Sequence, residues 1–321
     1  MVELTETALL NLRNTVSRIQ KRIGQTVIGS ERIIRFMFIC LITDNHMLLE
    51  GVPGLAKTLL ANEFARHMGL DFKRIQFTPD MLPSDVTGNM MFNLETRRME
   101  LRKGPIYTNI LLADELNRTP PKVHSALLQG MEEKSVSIGG LTEMLPEPFF
   151  VIATQNPIEQ EGTFPLAEAL TDRFLFRYNL SYPTREEEIS ILKRDSIAEQ
   201  PYDPLGKERI MALRSQLNSV AISDDIMNYI VDIIRSTRED KRIYLGASPR
   251  TTFKYFLAAR ANALVNGRDY VIPEDVKFLS KELLNHRIIL NSEAMVEGNG
   301  DTVSIVNSVI DELVNRIEAP K

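Results

Sequence analysis

The sequence predicts a three-layer α/β domain built on a parallel five-stranded sheet, followed by a smaller all-helical domain. Three observations predict it. Five short apolar runs, at residues 47–49, 72–77, 110–113, 149–154 and 174–180, alternate with helical spacing through the first half of the 321 residues, and runs this apolar suit parallel strands covered on both faces. Beyond residue 181 the apolar residues follow helical spacing with few strand signals. Finally, two of the strand runs end in clusters suited to phosphate chemistry, and ligands of open α/β sheets sit at the carboxyl ends of strands. The boundary is expected near Tyr182, giving domains 1–181 and 182–321.

Taken in order, residues 4–23 have helical spacing (Leu9, Leu12, Val16, Ile19), and a second helix spans about 30–42 with Ser30 as its N-cap. The strand at 47–49 runs into Gly51-Val52-Pro53-Gly54-Leu55-Ala56-Lys57-Thr58, with a helix starting near Lys57. Residues 79–106, punctuated by Pro79, Pro83, Gly88, Gly104 and Pro105, are too long for an ordinary connection and hold alternating segments at 88–94 and 98–101. Residues 134–148 read as a hairpin, Ser135-Val136-Ser137-Ile138 turning at Gly139-Gly140. Insertions of this kind are usually functional loops. In the second half Thr184 and Glu187 form a T-x-x-E capping box. Helices are then expected at about 185–197, 207–219, 224–237, 249–265, 274–285 and 302–317, the last with Ile305, Val309, Ile310 and Leu313 along one stripe.

Composition excludes several classes. A hydrophobic fraction of 43% with 25% charged residues is that of a globular chain, and a net charge of −5 offers no global attraction for nucleic acid. The single cysteine, Cys40, lies in an apolar run and reads as a buried inert thiol, which rules out an internal disulfide. His46, His67, His124 and His286 form no ligand spacing, so no transition metal is expected. No targeting segment or apolar stretch of membrane-spanning length is visible, and the expected location is cytoplasmic.

The chemistry is concentrated at the strand ends. Gly51 and Gly54 let the backbone turn tightly and aim its N–H groups inward, and the helix start adds partial positive charge. Lys57 is placed to reach the β- and γ-phosphates of ATP, or the β-phosphate of ADP, the Thr58 hydroxyl to ligate Mg²⁺, and the cradle extends from Gly51, Val52, Pro53, Gly54, Leu55 and Ala56 to Leu59. Glycine normally precedes the lysine; Ala56 holds an αR or bridge conformation there at little cost but is penalised at positive φ. Asn109-Ile110-Leu111-Leu112-Ala113-Asp114-Glu115 supplies the second cluster, with Asp114 holding Mg²⁺ through water and Glu115 polarising the attacking water as general base. Adjacent carboxylates ending an apolar strand would repel each other without a cation or a divided role. Asn156 ends the next strand and is suited to orient the water. Arg173 reads either as an arginine finger or as a partner for Asp172. Arg250, in Ser248-Pro249-Arg250-Thr251, puts a cation in a first helical turn, which suits a phosphate sensor better than a solvated charge.

These residues together resemble the MoxR family of AAA+ ATPases over nearly the whole chain. The resemblance is carried by the Gly51 to Thr58 loop, by Lys103-Gly104-Pro105-Ile106 with Leu111-Leu112-Ala113-Asp114-Glu115-Leu116-Asn117-Arg118-Thr119-Pro120-Pro121-Lys122, and by the stretch 145–163 around Ala153-Thr154-Gln155-Asn156-Pro157. It implies an AAA+ domain with Walker A at Lys57 and Thr58, Walker B at Asp114 and Glu115, sensor 1 at Asn156, and sensor 2 at Arg250 in a helical lid. Arg173 matches the arginine presented to a neighbouring subunit's nucleotide. Val27, Ile28 and Gly29 are similar to the segment that packs on adenine. The resemblance makes 79–106 the helix-2 insert and 134–148 the pre-sensor-1 hairpin. It further implies a hexameric ring with chaperone-like remodelling activity on a protein client, often with a von Willebrand factor A-domain partner. Ala167, Leu170 and Thr171 depart from the family pattern near Arg173. A nucleic-acid motor and a metal-chelatase ATPase subunit share the same ATPase plan and stand as alternatives. The acidic balance opposes the motor, and the insert's Arg97, Arg98, Arg102 and Lys103 read as a solvated hairpin face unless salt-dependent DNA stimulation of the ATPase is lost on neutralising them.

Overall fold

The computed structural model describes residues 5–157, 163–193, 202–297 and 301–320. The part of the family-like stretch at 158–162 and the end of the helix expected at 185–197 lie outside the described residues. The first elements are α1 (Glu6–Thr26), α2 (Glu31–Ile42), β1 (His46–Glu50), α3 (Lys57–Met68), β2 (Phe72–Gln76), α4 (Pro83–Thr87), β3 (Gly88–Asn93) and β4 (Arg98–Lys103). Next come β5 (Ile110–Asp114), α5 (Pro121–Glu133), β6 (Ser135–Ile138), β7 (Leu141–Met144), β8 (Phe150–Gln155), α6 (Glu168–Thr171), β9 (Phe174–Asn179) and α7 (Arg185–Leu192). The chain continues as α8 (Lys207–Gln216), α9 (Asp224–Glu239), β10 (Ile243–Leu245), α10 (Pro249–Val265), α11 (Pro273–Leu284), β11 (Ile289–Leu290), α12 (Ser292–Glu297) and α13 (Thr302–Arg316).

A parallel sheet of order β2-β5-β8-β1-β9 forms because its inner strands have no polar face to show to water. Every residue of β5 is buried, as are all of β8 but its last, so both sheet faces need helical cover. β2 is an edge strand and behaves differently: of Phe72-Lys73-Arg74-Ile75-Gln76 only Ile75 is buried, which leaves Lys73, Arg74 and Gln76 exposed. Charged side chains on an edge protect it from pairing with another chain. Below the sheet, Leu111, Ala113, Val151 and Ala153 pack with Val123, Leu127 and Met131 of α5.

Both insertions are hairpins. β3 pairs antiparallel with β4, and β6 with β7 across Gly139 and Gly140, whose φ of 57° and 85° suit the tight turn expected from glycine pairs. The insert also contains α4, which the alternating pattern did not reveal; Asp85 caps it by accepting the Leu82 N–H at 2.8 Å. The two hairpins meet, Lys103 pairing with Glu143 at 3.2 Å and Met90 lying where any side chain on Gly139 would collide with it. Ser30 occupies the N-cap position of α2 as expected, but its hydroxyl donates to the Val27 carbonyl at 2.5 Å and makes no side-chain cap. The Thr184–Glu187 box forms as expected, with Glu187 N–H donating to Thr184 Oγ1 at 3.2 Å and Thr184 N–H to Glu187 Oε2 at 2.7 Å.

The chain divides into two compact units. One comprises Arg18–Phe174 and Tyr178–Met211; the other comprises Ala212–Lys321 with Met1–Ser17 and Leu175–Arg177. The segment from 182 to 211 stays with the sheet unit for local reasons. Tyr202 stacks on His67 and receives a hydrogen bond from Arg66 at 3.1 Å, and Leu205 N–H donates to the His67 carbonyl at 3.0 Å. The second unit buries Ile226, Tyr229, Ile230, Ile233 and Ile234 of α9 against α10 and α13. From Ala212 onward its described residues are mainly helical and include a small antiparallel ribbon, β10 with β11, which the helical spacing of its surroundings had hidden.

Candidate active site

Pairing of the parallel strands brings three strand ends level. The register Glu50↔Gln155 aligns β1 with β8, and Ala113↔Ala153 aligns β5 with β8, so the loop after β1, the carboxylates ending β5 and Asn156 after β8 share one edge. Gly51 extends β1 by donating to the Gln155 carbonyl at 3.3 Å. A Cβ there would come within 2.9 Å of Leu180 Cβ, so the close approach requires glycine. At Gly54 the requirement is conformational: φ is 90° and the space around it is open. Ala56 adopts φ 53° and ψ 24°, the left-handed conformation that penalises alanine by about 1 kcal/mol. That turn delivers Lys57 and Thr58 to the first turn of α3.

The Lys57 ammonium donates to the Gly51 carbonyl at 2.5 Å. Burial lowers its pKa, and the negative charges of Asp114 and Glu115 oppose that shift. The lysine and the two carboxylates therefore act on one another as neighbours.

Asp114 is buried with both oxygens engaged. Oδ1 accepts from Thr154 Oγ1 at 2.5 Å, and Oδ2 accepts from Arg74 Nε at 3.0 Å and Nη2 at 2.7 Å. Glu115 takes a left-handed turn, φ 56° and ψ 47°, and its N–H donates to the same Thr154 hydroxyl at 2.8 Å. Its Oε2 accepts from Gln76 Nε2 at 2.6 Å and pairs with Arg118 Nε at 3.0 Å. Thr154 thus fixes both acidic residues from the neighbouring strand. Arg74 and Gln76 were not picked out from the sequence, and Arg118 and Thr154 stood there only within the family-like stretches, with no role of their own.

Asn156 is buried at the end of β8. Arg173 follows α6 and pairs with Glu132 of α5, while its Nε is buried without a hydrogen-bond partner. Arg250 belongs to the helical unit, exposed in the first turn of α10, where Ser248 is N-cap and Pro249 the first helical residue.

Beside the loop lies a cavity of about 340 Å³ lined by Val27, Ile28 and Gly29, by Gly54, Leu55, Ala56 and Leu59, and by the chain around Tyr178 to Pro183. Its walls mix apolar side chains such as Val27, Ile28, Leu55 and Leu59 with polar ones such as Ser30 and Glu187, a combination that suits a planar heterocycle, and the loop leads from them to Lys57 and Thr58. The Thr58 hydroxyl and Asp114 carboxylate are hard oxygen donors of the kind Mg²⁺ takes, with phosphate and water completing its shell. Among the described residues no group of three or more His, Cys, Asp or Glu is placed to hold a metal ion.

Comparison with known proteins joins this geometry to a family. Residues 46–176 match the profile described as ATPase family associated with various cellular activities (AAA), and residues 235–309 match that of the AAA lid domain. The chain is 39% identical to Chaperone MoxR1 of Mycobacterium tuberculosis over 92% of its own length and 81% of the relative's. It is 42% identical to the uncharacterized protein YeaC of Bacillus subtilis, over 97% and 96% of the two chains. A crystal structure of a candidate ATPase from Cytophaga hutchinsonii superposes with a TM-score of 0.87 at 42% identity, covering 98% of each chain. With both profiles matched and 39% identity to Chaperone MoxR1 over most of each chain, the chain belongs to the MoxR family of AAA+ ATPases.

Proposed function

We propose that the chain hydrolyses ATP to ADP and phosphate in a Mg²⁺-dependent reaction, at sites shared between subunits of a ring, and uses the cycle to remodel a protein client. The observation that carries this reading is the meeting of Lys57, Asp114, Glu115 and Asn156 at adjacent strand ends, beside a cavity whose lining includes Val27, Ile28 and Gly29. Lys57 and the N–H groups of the loop hold the β- and γ-phosphates; Thr58 and Asp114 hold the metal. A Mg²⁺ ion held there would supply positive charge against the charge that develops on the transferring phosphate. Glu115 takes the proton of the attacking water, with Asn156 orienting that water. Arg173, at the partly exposed junction between α6 and β9, completes the site of the next subunit, and Arg250 of the helical unit is the phosphate sensor. Chaperone MoxR1 is called a chaperone, and the same role here accords with two hairpins standing out from the core. A hexameric ring, a cytoplasmic location and a von Willebrand factor A-domain partner belong to the same reading.

Glu115→Gln tests the base. ATP binding is expected to persist while steady-state phosphate release falls by about three orders of magnitude. Wild-type turnover in that variant overturns the assignment. Of the four basic insert residues relevant to the motor alternative, Lys103 pairs with Glu143 at 3.2 Å and lies over the Tyr107 ring at 4.7 Å.

A further inference from the structure

We propose that Arg74 is a built-in counter-cation that sets how much Mg²⁺ the nucleotide site requires. The inference rests on the reading of Asp114 as the metal-holding carboxylate and goes beyond it by naming a residue on another strand that competes for that carboxylate. Pairing of β2 with β5 sets Arg74 opposite Leu112 and Gln76 opposite Asp114, so the Arg74 side chain leans one residue pair along the sheet to reach the carboxylate. It arrives with two donors on one oxygen, Nε at 3.0 Å and Nη2 at 2.7 Å, and Nη2 also donates to Gln76 Oε1.

The two partners differ in what they can do about this contact. The Asp114 side chain is only 11% exposed and depends on protein donors, whereas that of Arg74 is 45% exposed and can exchange the contact for water. A guanidinium does not relieve the competition by losing its proton. Mg²⁺ and Arg74 therefore draw on the same carboxylate, and each repels the other across a few ångströms of a site partly shielded from solvent. Thr154 holds Oδ1 independently, so removing the guanidinium does not release the carboxylate from its orientation. Arg74 consequently weakens metal binding and is not needed to aim Asp114.

The test is a Mg²⁺ titration of mant-ADP binding to the full chain, read by fluorescence and not by turnover. Arg74→Ala is expected to lower the Mg²⁺ concentration at half-saturation about tenfold. Arg74→Lys keeps the charge and is expected to stay within about threefold of wild type. Arg74→Gln guards against a folding defect in the alanine variant and is expected to follow it. In an Asp114→Asn background, Arg74→Ala is expected to shift nothing further, since the double-mutant cycle removes the shared carboxylate. An unchanged or raised Mg²⁺ midpoint in both Arg74→Ala and Arg74→Gln overturns the counter-cation while leaving the nucleotide site intact. A wild-type chain that binds no mant-ADP at any Mg²⁺ concentration overturns the nucleotide reading and this inference together.

Discussion

Two site residues that are not glycine sit in the left-handed region, Ala56 before the phosphate-loop lysine and Glu115 at the end of β5. Each conformation costs free energy that the surrounding structure must offset, and strain of this kind collects where a side chain has to be aimed. At Glu115 the restraint is visible: its N–H is held by the Thr154 hydroxyl, which also donates to Asp114. Thr154 is fully buried, so replacing it with valine leaves an N–H and a carboxylate oxygen each short of a partner. Thr154→Val is expected to lower turnover about a hundredfold and stability by roughly 1–3 kcal/mol, while Thr154→Ser keeps both near wild type. Phosphate release and urea unfolding of the two variants check this; wild-type turnover in Thr154→Val would show that the hydroxyl does not position the pair. None of this was legible in the sequence, where Thr154 is one neutral residue at the end of an apolar run. Lys57, Asp114 and Glu115 were legible because local spacing along one chain segment marks them, whereas Thr154, Arg74 and Gln76 act through register with a neighbouring strand.

At the scale of elements the same division between local and long-range signals holds. The Thr184–Glu187 box and the Gly139-Gly140 hairpin could be read directly, since each is settled within a few residues. Ser30 could not: its hydroxyl bonds back to Val27, a choice the cap preference alone does not decide. The β10–β11 ribbon escaped notice because three residues and two residues, far apart in the chain, carry no periodicity to read. That ribbon begins beside an ionic cluster. Asp240 accepts from Arg242 Nε at 3.0 Å, Nη2 at 3.0 Å and the Arg242 N–H at 3.0 Å, and Arg242 also pairs with Glu312 of α13 at 2.5 Å. Hydrogen bonding from Arg242 lowers the Asp240 pKa below its ordinary 3.8. A carboxylate depressed in the folded state adds stability above its unfolded pKa and loses it as pH falls through the folded value. Asp240→Asn is thus expected to cost about 1–3 kcal/mol at pH 7, with the gap from wild type closing progressively below pH about 4. Urea unfolding at a series of pH values measures it; a gap independent of pH down to the acid limit would remove the ionic explanation.

For the molecule as a whole the question is whether one chain holds a complete active site. Arg173 is the residue on which this turns, since its guanidinium pairs with Glu132 of α5 and leaves Nε buried without a hydrogen-bond partner. If Arg173 serves a neighbour as proposed, its pair with Glu132 must be replaceable, and a partly exposed ion pair of this kind contributes little stability. Sharing makes a sharp prediction about mixtures. Glu115→Gln subunits lack the base but keep Arg173; Arg173→Ala subunits lack the finger but keep Glu115. Each variant alone is expected to lose nearly all turnover, because the finger contributes several orders of magnitude to phosphoryl transfer. Mixed in equal amounts and allowed to reassemble, random rings place an intact base against an intact finger at about a quarter of their interfaces. Phosphate release from the mixture is then expected at up to about a quarter of the wild-type rate, rising with the time allowed for subunit exchange. If Arg173 acted within its own subunit, every subunit of the mixture would carry one lesion and no interface would recover. A mixture that stays inactive although labelled subunits demonstrably exchange would place the arginine in cis and reduce the ring to a scaffold.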